Sequence, residues 1–150
     1  MMLADAGMLD AVDILATDLS RRVLAKAAEG VYGGRSFRSL PPSAEKYFAD
    51  RDGGTRSVRV DLLAAIRWER LNLLDEPAVL ATGRFDAILC RNVLIYFADP
   101  TVQSVAHVLT RALEPGGVLL VGASESLLRF GTELECSELG GAFFYRKPPG

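Results

Sequence analysis

Histidine is almost missing from this chain: His107 is the sole one among 150 residues. No Ser-His-Asp constellation is offered, and no His, Cys, Asp and Glu pattern has metal-ligand spacing. Cysteine is scarce too. Cys90 falls in an apolar strand pattern, so Cys90 and Cys136 read as reduced thiols of a cytoplasmic protein rather than as a disulfide. No apolar run approaches the roughly 20 residues that cross a bilayer. Met1-Met2-Leu3-Ala4 has no basic residue and Asp5 follows at once, which argues against a secretory leader. Neither sign of charge dominates: 17 Lys and Arg face 19 Asp and Glu, for a net charge of −2. That balance lacks the basic footprint of a nucleic-acid binder. Repeats and low-complexity tracts are absent. What is present is ordinary for one globular domain, 49% hydrophobic and 24% charged.

Along the chain, Met1 to Leu9 reads as the end of a helix. Val12 to Thr17 reads as a strand ending at Asp18. Leu19 to Ala28 follows as an amphipathic helix closed by Gly30, with Leu19, Val23, Leu24 and Ala27 on its apolar face. Residues 31–60 differ in kind, with Gly33-Gly34, Pro41-Pro42, Gly53-Gly54 and several arginines. They read as an inserted small β-subdomain, with a short helix over Ser43 to Ala49 and an edge strand over Ser57 to Val60. Leu62 to Ile66 predicts a helical turn, and Trp68 to Leu71 a strand reaching Asn72. Thr101 to Leu113 predicts an amphipathic helix, Pro115-Gly116-Gly117 a turn, and Val118 to Val121 a buried strand. A closing antiparallel hairpin is expected from Leu134 to Leu139 and Ala142 to Arg146 around Gly140-Gly141. Strands alternating with helices, plus an antiparallel edge, predict an α/β fold with a doubly wound sheet.

Phe85 to Phe97 is the stretch on which function turns. An apolar run, Phe85 to Cys90, predicts a buried strand. Arg91 and Asn92 follow, then a second apolar run ending in Tyr96-Phe97 before Asp99-Pro100. Ligands of open α/β sheets bind outside the carboxyl ends of the strands, where this Arg-Asn pair falls. Plainer readings stand beside this one. Asp18 also suits a helix N-cap, and Asn72 a turn. Arg91 has Asp86 and Asp99 as possible ion-pair partners. Tyr96 also suits a core aromatic with its hydroxyl at the surface, and Cys90 a buried small hydrophobe. Trp68 reads as core and His107 as a surface position. The arginines of 31–60 suit either a solvated face or a contact with an acidic protein segment.

Five motifs occur in a fixed order: Ile14-Leu15-Ala16-Thr17-Asp18, Leu71-Asn72-Leu73-Leu74-Asp75, Phe85 to Phe97, Gly122-Ala123-Ser124-Glu125-Ser126-Leu127, and Phe143-Phe144-Tyr145-Arg146. Together they closely resemble the C-terminal catalytic domain of the chemotaxis-receptor (CheR-type) methyltransferases. Cys90-Arg91-Asn92-Val93-Leu94-Ile95-Tyr96-Phe97 is the most specific of them. The resemblance implies a Rossmann-like S-adenosylmethionine-methyltransferase sheet. It also implies methyl transfer from S-adenosylmethionine to glutamate side chains on the cytoplasmic domain of a chemoreceptor. By that likeness Asp18 takes the ribose hydroxyls, and Asn72 and Leu73 lie at the adenine. Cys90, Arg91 and Asn92 flank the methionine part of the cofactor, and Arg91 and Tyr96 hold the substrate glutamate. Residues 31–60 match a subdomain that docks a receptor tail in some members.

Two departures accompany the likeness. Family members have a first strand leading into a Gly-x-x-x-Gly-Glu-Glu-Pro-Tyr-Ser loop, and this chain has neither. It starts where the helix after that loop finishes, so a domain truncated at its N-terminus is expected. Ala123 stands where the family commonly has His. The family's strand order is 3-2-1-4-5-7-6, so the strand ending at Asp18 and the strand starting at Phe85 both lack their central neighbour. An unpaired buried backbone group costs about 1–3 kcal/mol. Dimerisation, strand swapping or direct closure of the two edges is therefore expected. An inactive remnant used for protein contact, or half of a split enzyme, is the alternative function.

Overall fold

The computed structural model describes residues 1–139 and 142–150. The chain forms two compact units, Met1–Leu71 and Asn72–Gly150.

The first unit opens with α1 (Met2–Asp5) and a 3-10 turn at Leu9–Ala11. The predicted βα unit follows as β1 (Ile14–Asp18) and α2 (Arg21–Glu29). Ser20 caps α2, its Oγ accepting from Val23 N–H at 3.4 Å. Gly30 closes it in the left-handed region at φ 66°. A Cβ there would sit 2.6 Å from the tip of Leu63, which can swing aside, so it is the left-handed conformation that requires glycine. The apolar face read for α2 is only partly used: Leu24 and Ala27 are half-buried, while Leu19 and Val23 stay exposed.

Residues 31–58 build a three-stranded antiparallel sheet from β2 (Val31–Gly33), β3 (Phe48–Arg51) and β4 (Thr55–Val58), in the order β2-β4-β3. The strand expected at an edge is thus the central one. Its neighbours are only three and four residues long, so periodicity did not reveal them. A 3-10 segment, Pro42–Tyr47, takes the place of the expected helix. Arg56 lies over the rings of Phe37 and Phe48, 5.0 and 5.3 Å from their centroids, and donates to Glu45 Oε2. After α3 (Val60–Ala64), β5 (Ile66–Arg70) runs parallel to β1, pairing Ile14 with Ile66 and Asp18 with Arg70. Trp68 is half-buried on it.

The second unit contains α4 (Glu76–Ala81), β6 (Phe85–Cys90), α5 (Asp99–Arg111), β7 (Leu113–Val121), β8 (Glu135–Leu139) and β9 (Ala142–Arg146). Its sheet order is β6-β7-β9-β8, parallel between β6 and β7 and antiparallel beyond. The closing hairpin is present, and the turn expected at Gly140-Gly141 lies outside the described residues. Asp99-Pro100 starts α5 rather than ending the preceding segment, because proline suits the first helical turn. Pro115-Gly116-Gly117 is not a turn between elements. It is a bulge within β7, where the pairing jumps from Phe85–Leu113 to Ala87–Val118. Val102, Val105, Ala106 and Leu109 of α5 pack with Leu113 and Leu119 of β7 and with Leu127 in a well-buried core. His107 is exposed.

Among the described residues β1 is hydrogen-bonded to β5 alone and β6 to β7 alone. Within its own unit, each has a second edge unpaired. This corrects the reading of Phe85–Cys90 as fully buried. Ile88 is half-buried and Cys90 buried, but Asp86, Ala87 and Leu89 are exposed, Leu89 by 68%. An apolar run reports the capacity to be covered, not the presence of a cover.

Candidate functional site

The end of β6 and the residues after it carry most of the expected site. Cys90 is buried, and Arg91 and Asn92 leave the strand exposed. Asn92 turns the chain with φ 59°, the sole non-glycine in the left-handed region among the described residues. A single 3-10 turn, Leu94–Tyr96, follows, with Leu94 buried, Ile95 exposed and Tyr96 80% exposed. That exposure removes the core-aromatic reading of Tyr96.

Arg91 makes no ion pair among the described residues. Asp99, one acid considered for it, is held instead by a two-pronged contact with Arg129, both N···O distances 2.7 Å. The side chains of Arg91, Asn92 and Tyr96 make no hydrogen bond among the described residues. A cation, an amide and a phenol are therefore free within six residues, at the end of a parallel strand.

Burial pushes the Cys90 thiol up to about 11, with the negative charge of Glu125 adding to the effect. At neutral pH it is a protonated thiol, not a nucleophile.

Glu125 was not singled out from the sequence. Its Oε1 accepts from Val93, Leu94 and Ile95 N–H at 2.9, 2.7 and 3.2 Å, and its Oε2 from Asn92 and Gly122 N–H at 2.8 and 2.5 Å. Burial raises its carboxyl pKa, but the amide donors outweigh this and hold it below the usual carboxylate range. Membership of the Gly122 to Leu127 motif was the available signal. The contact itself spans 33 residues and involves backbone groups, which no spacing rule reports.

Asp18 ends β1 half-buried. Its Oδ1 accepts from Ser20 N–H at 2.7 Å, while Ser20, not Asp18, is the N-cap. The other carboxylate oxygen has no protein partner among the described residues. Asn72, exposed, begins the second unit and makes a tight turn, its Oδ1 accepting from Leu74 N–H at 3.1 Å. Its amide nitrogen has no hydrogen-bond partner among the described residues. Leu73 beside it is half-buried. Among the described residues, no group of three or more His, Cys, Asp and Glu side chains is arranged to hold a metal ion. No helix there is long and apolar enough to cross a membrane.

Parallel strands ending in free polar side chains, with helices between them, define an α/β nucleotide-type binding domain. A model of the CheR methyltransferase SAM-binding domain matches residues 1–141. The Vibrio cholerae protein named chemotaxis protein methyltransferase 2 is 35% identical over 138 residues, covering 91% of this chain and 48% of that protein. Chemotaxis protein methyltransferase 1 of Pseudomonas aeruginosa is 36% identical over 137 residues, covering 90% and 49%. A probable biofilm formation methyltransferase, WspC of Pseudomonas putida, is 40% identical over 131 residues, covering 85% and 30%. The chain belongs to the CheR methyltransferase SAM-binding domain family, with the Rossmann-like α/β fold that the resemblance implied. It spans about half the length of the two chemotaxis relatives.

S-adenosylmethionine is the cofactor of this domain. The residues present fit its chemistry. A ribose hydroxyl needs an acceptor, and Asp18 has one carboxylate oxygen to spare. An adenine edge needs a donor and apolar cover, and Asn72 and Leu73 supply those types.

Proposed function

We propose that this chain is the cofactor-binding and catalytic part of a protein-glutamate O-methyltransferase acting on chemoreceptor cytoplasmic domains. The observation that carries the proposal is Arg91, an exposed guanidinium with no acid partner among the described residues, at the end of a parallel strand and five residues before the exposed Tyr96. The names of the relatives support the reaction class. The biofilm relative supports leaving the particular receptor open.

The chemistry asks little of acid–base groups. A glutamate carboxylate is already ionised, and so nucleophilic, at neutral pH. S-adenosylmethionine, when bound, supplies a methyl group on a positively charged sulfur. The protein's task is to orient the carboxylate and strip its water. Arg91 grips the carboxylate with two parallel N–H donors, and Tyr96 donates a further hydrogen bond. Asn92 and the Cys90 end of β6 form the wall toward the methionine moiety. Asp18 binds the ribose, and Asn72 with Leu73 binds adenine. Residues 31–60 form a β-subdomain offered to the receptor.

The test is transfer of labelled methyl groups to receptor-enriched membranes. Arg91→Ala is expected to lower turnover about 100-fold or more while the affinity for S-adenosylmethionine changes little. Equal loss of both would assign Arg91 to cofactor binding instead.

A second reading rests on the free edges of β1 and β6. Here the chain is a fold module that needs a strand from a second copy, paired along such a free edge, before it acts. Light scattering decides it: a monomer that unfolds cooperatively removes the dimer.

A further inference from the structure

We propose that Glu125 is the positioning residue of this site. Its carboxylate fixes the turn that displays Arg91, Asn92 and Tyr96. The inference rests on the proposed roles of those three residues.

The argument begins with the backbone after β6. Asn92 is left-handed at φ 59°, and Val93 returns to the right-handed region at φ −116°, ψ −43°. Such a succession turns consecutive N–H groups inward to form an anion-binding hollow. The amides of Leu94 and Ile95 open the 3-10 turn, where no earlier carbonyl is available to them. Tyr96 N–H and Phe97 N–H, by contrast, find Val93 O and Leu94 O. Four successive donors, Asn92 to Ile95, are thus left to one acceptor, and Glu125 fills that place with both oxygens.

Glu125 reaches the hollow because the chain after β7 is built to bring it there. Gly122 N–H donates to Oε2, and Glu125 N–H donates to Gly122 O at 2.9 Å, closing a tight turn on itself. A Cβ on residue 122 would lie 2.5 Å from Glu125 Oε2 and 3.1 Å from Asn92 N, so only glycine permits this approach. The charged neighbours do not compete for the carboxylate. The Cys90 thiol is protonated, and Arg129 is occupied by Asp99 on the wall of the same small cavity.

The clamp grips only main-chain groups. Arg91, Asn92 and Tyr96 keep their side chains uncommitted, while the peptide units between them are immobilised. A loop braced through its own side chains would have nothing left for a ligand. A loop with no brace would bear the ordering cost at each binding event.

The test uses the full chain and reads amide hydrogen exchange before any activity. Glu125→Ala is expected to raise exchange at Asn92 to Ile95 by about tenfold or more while α5 stays protected. Glu125→Gln, equal in size but carrying an NH2 toward the donors, is expected to fail likewise. Sodium formate is expected to restore protection and turnover to the alanine variant, where it has room, and not to the glutamine variant. In both variants methyl transfer is expected to fall about 100-fold, the scale on which misplaced groups act. Unchanged exchange at Asn92 to Ile95 in both variants overturns the proposal. Loosened amides with full turnover and full cofactor affinity also overturn it, because the clamp then positions nothing. If wild-type chain neither binds S-adenosylmethionine nor transfers methyl groups, the proposed function falls, and exchange alone decides the clamp.

Discussion

The first unit and the loop after β6 treat their charges in opposite ways. In the first unit, charges are spent on one another. Arg56 holds Glu45 and Asp50 and lies over two rings, Arg59 grips Asp61 through both prongs, and Asp5 takes Lys46 and the Tyr47 hydroxyl. In that loop, the key carboxylate, Glu125, is spent on neutral amides, and Arg91, next to Asn92, has no acid partner among the described residues, although Arg84, Arg111 and Arg129 of the same unit are paired. The lesson is that an arginine count does not locate a site. The arginine-rich stretch 31–60 shows its best-placed guanidinium, Arg56, committed internally, whereas the lone Arg91 is available.

The cores differ as well. Leu113, Leu119, Leu127 and Val105 are under 2% exposed in the second unit, while no residue of α2 in the first is buried. Leu119→Ala is therefore expected to cost about 2–5 kcal/mol in the second unit, read by denaturant unfolding. Val23→Ala on α2 is expected to stay within about 0.5 kcal/mol. A comparable loss from the two would erase the contrast.

The charges give a reciprocal pair. Arg56→Ala is expected to lower the melting midpoint of the first unit and leave Arg91's surroundings untouched. Arg91→Ala is expected to leave melting within about 0.5 kcal/mol of wild type while methyl transfer falls. If Arg91→Ala melts the protein, the arginine has a structural partner and the comparison breaks.

Acid and salt sharpen it. Asp5 lies below the usual carboxylate range through Lys46 first and then Tyr47, and Asp61 through Arg59. Glu125 is lowered too. A depressed carboxylate stabilises fully above its unfolded pKa, near 4. That contribution fades as pH falls through the folded value. Both units are thus expected to loosen below about pH 4. At neutral pH, salt is expected to separate the ion pairs from the Glu125 clamp. Exposed ion pairs such as Arg59–Asp61 and Arg129–Asp99 are screened, whereas exchange protection at Asn92 to Ile95 holds, because its donors are neutral.

The smallest effect concerns thiols. Cys136, exposed, is expected to be alkylated readily at pH 8, and Cys90, buried with its pKa near 11, to resist until the chain unfolds. Mass spectrometry after brief iodoacetamide treatment reads the difference.

Much of this was legible in the sequence, and the exceptions have physical reasons. β1, α2 and the Gly30 stop were readable because strand pattern, helix periodicity and left-handed glycine are local signals, whereas the cap is Ser20 and not the Asp18 that the sequence offered. The strand pattern of β6 and the final hairpin were readable for the same reason. The helix α4 carried a signal that was not used: Asp75 caps it, accepting from Ala78 N–H at 3.2 Å, and Pro77 lies in its first turn. The bulge at Pro115-Gly116-Gly117 looks like a turn because turn residues report local bending, not whether pairing resumes afterward. The exposed face of β6 was unreadable because burial depends on neighbours that a single strand does not encode. At the site, Arg91, Asn92 and Tyr96 stood out by type and place, while Glu125 acts at long range on groups every residue possesses.

The most direct test of the central claim is calorimetric titration of S-adenosylmethionine into the chain and into Asp18→Ala. Micromolar binding by the wild type, abolished in the variant, is the predicted result. No heat of binding at millimolar S-adenosylmethionine, or equal affinity for both proteins, would contradict the account.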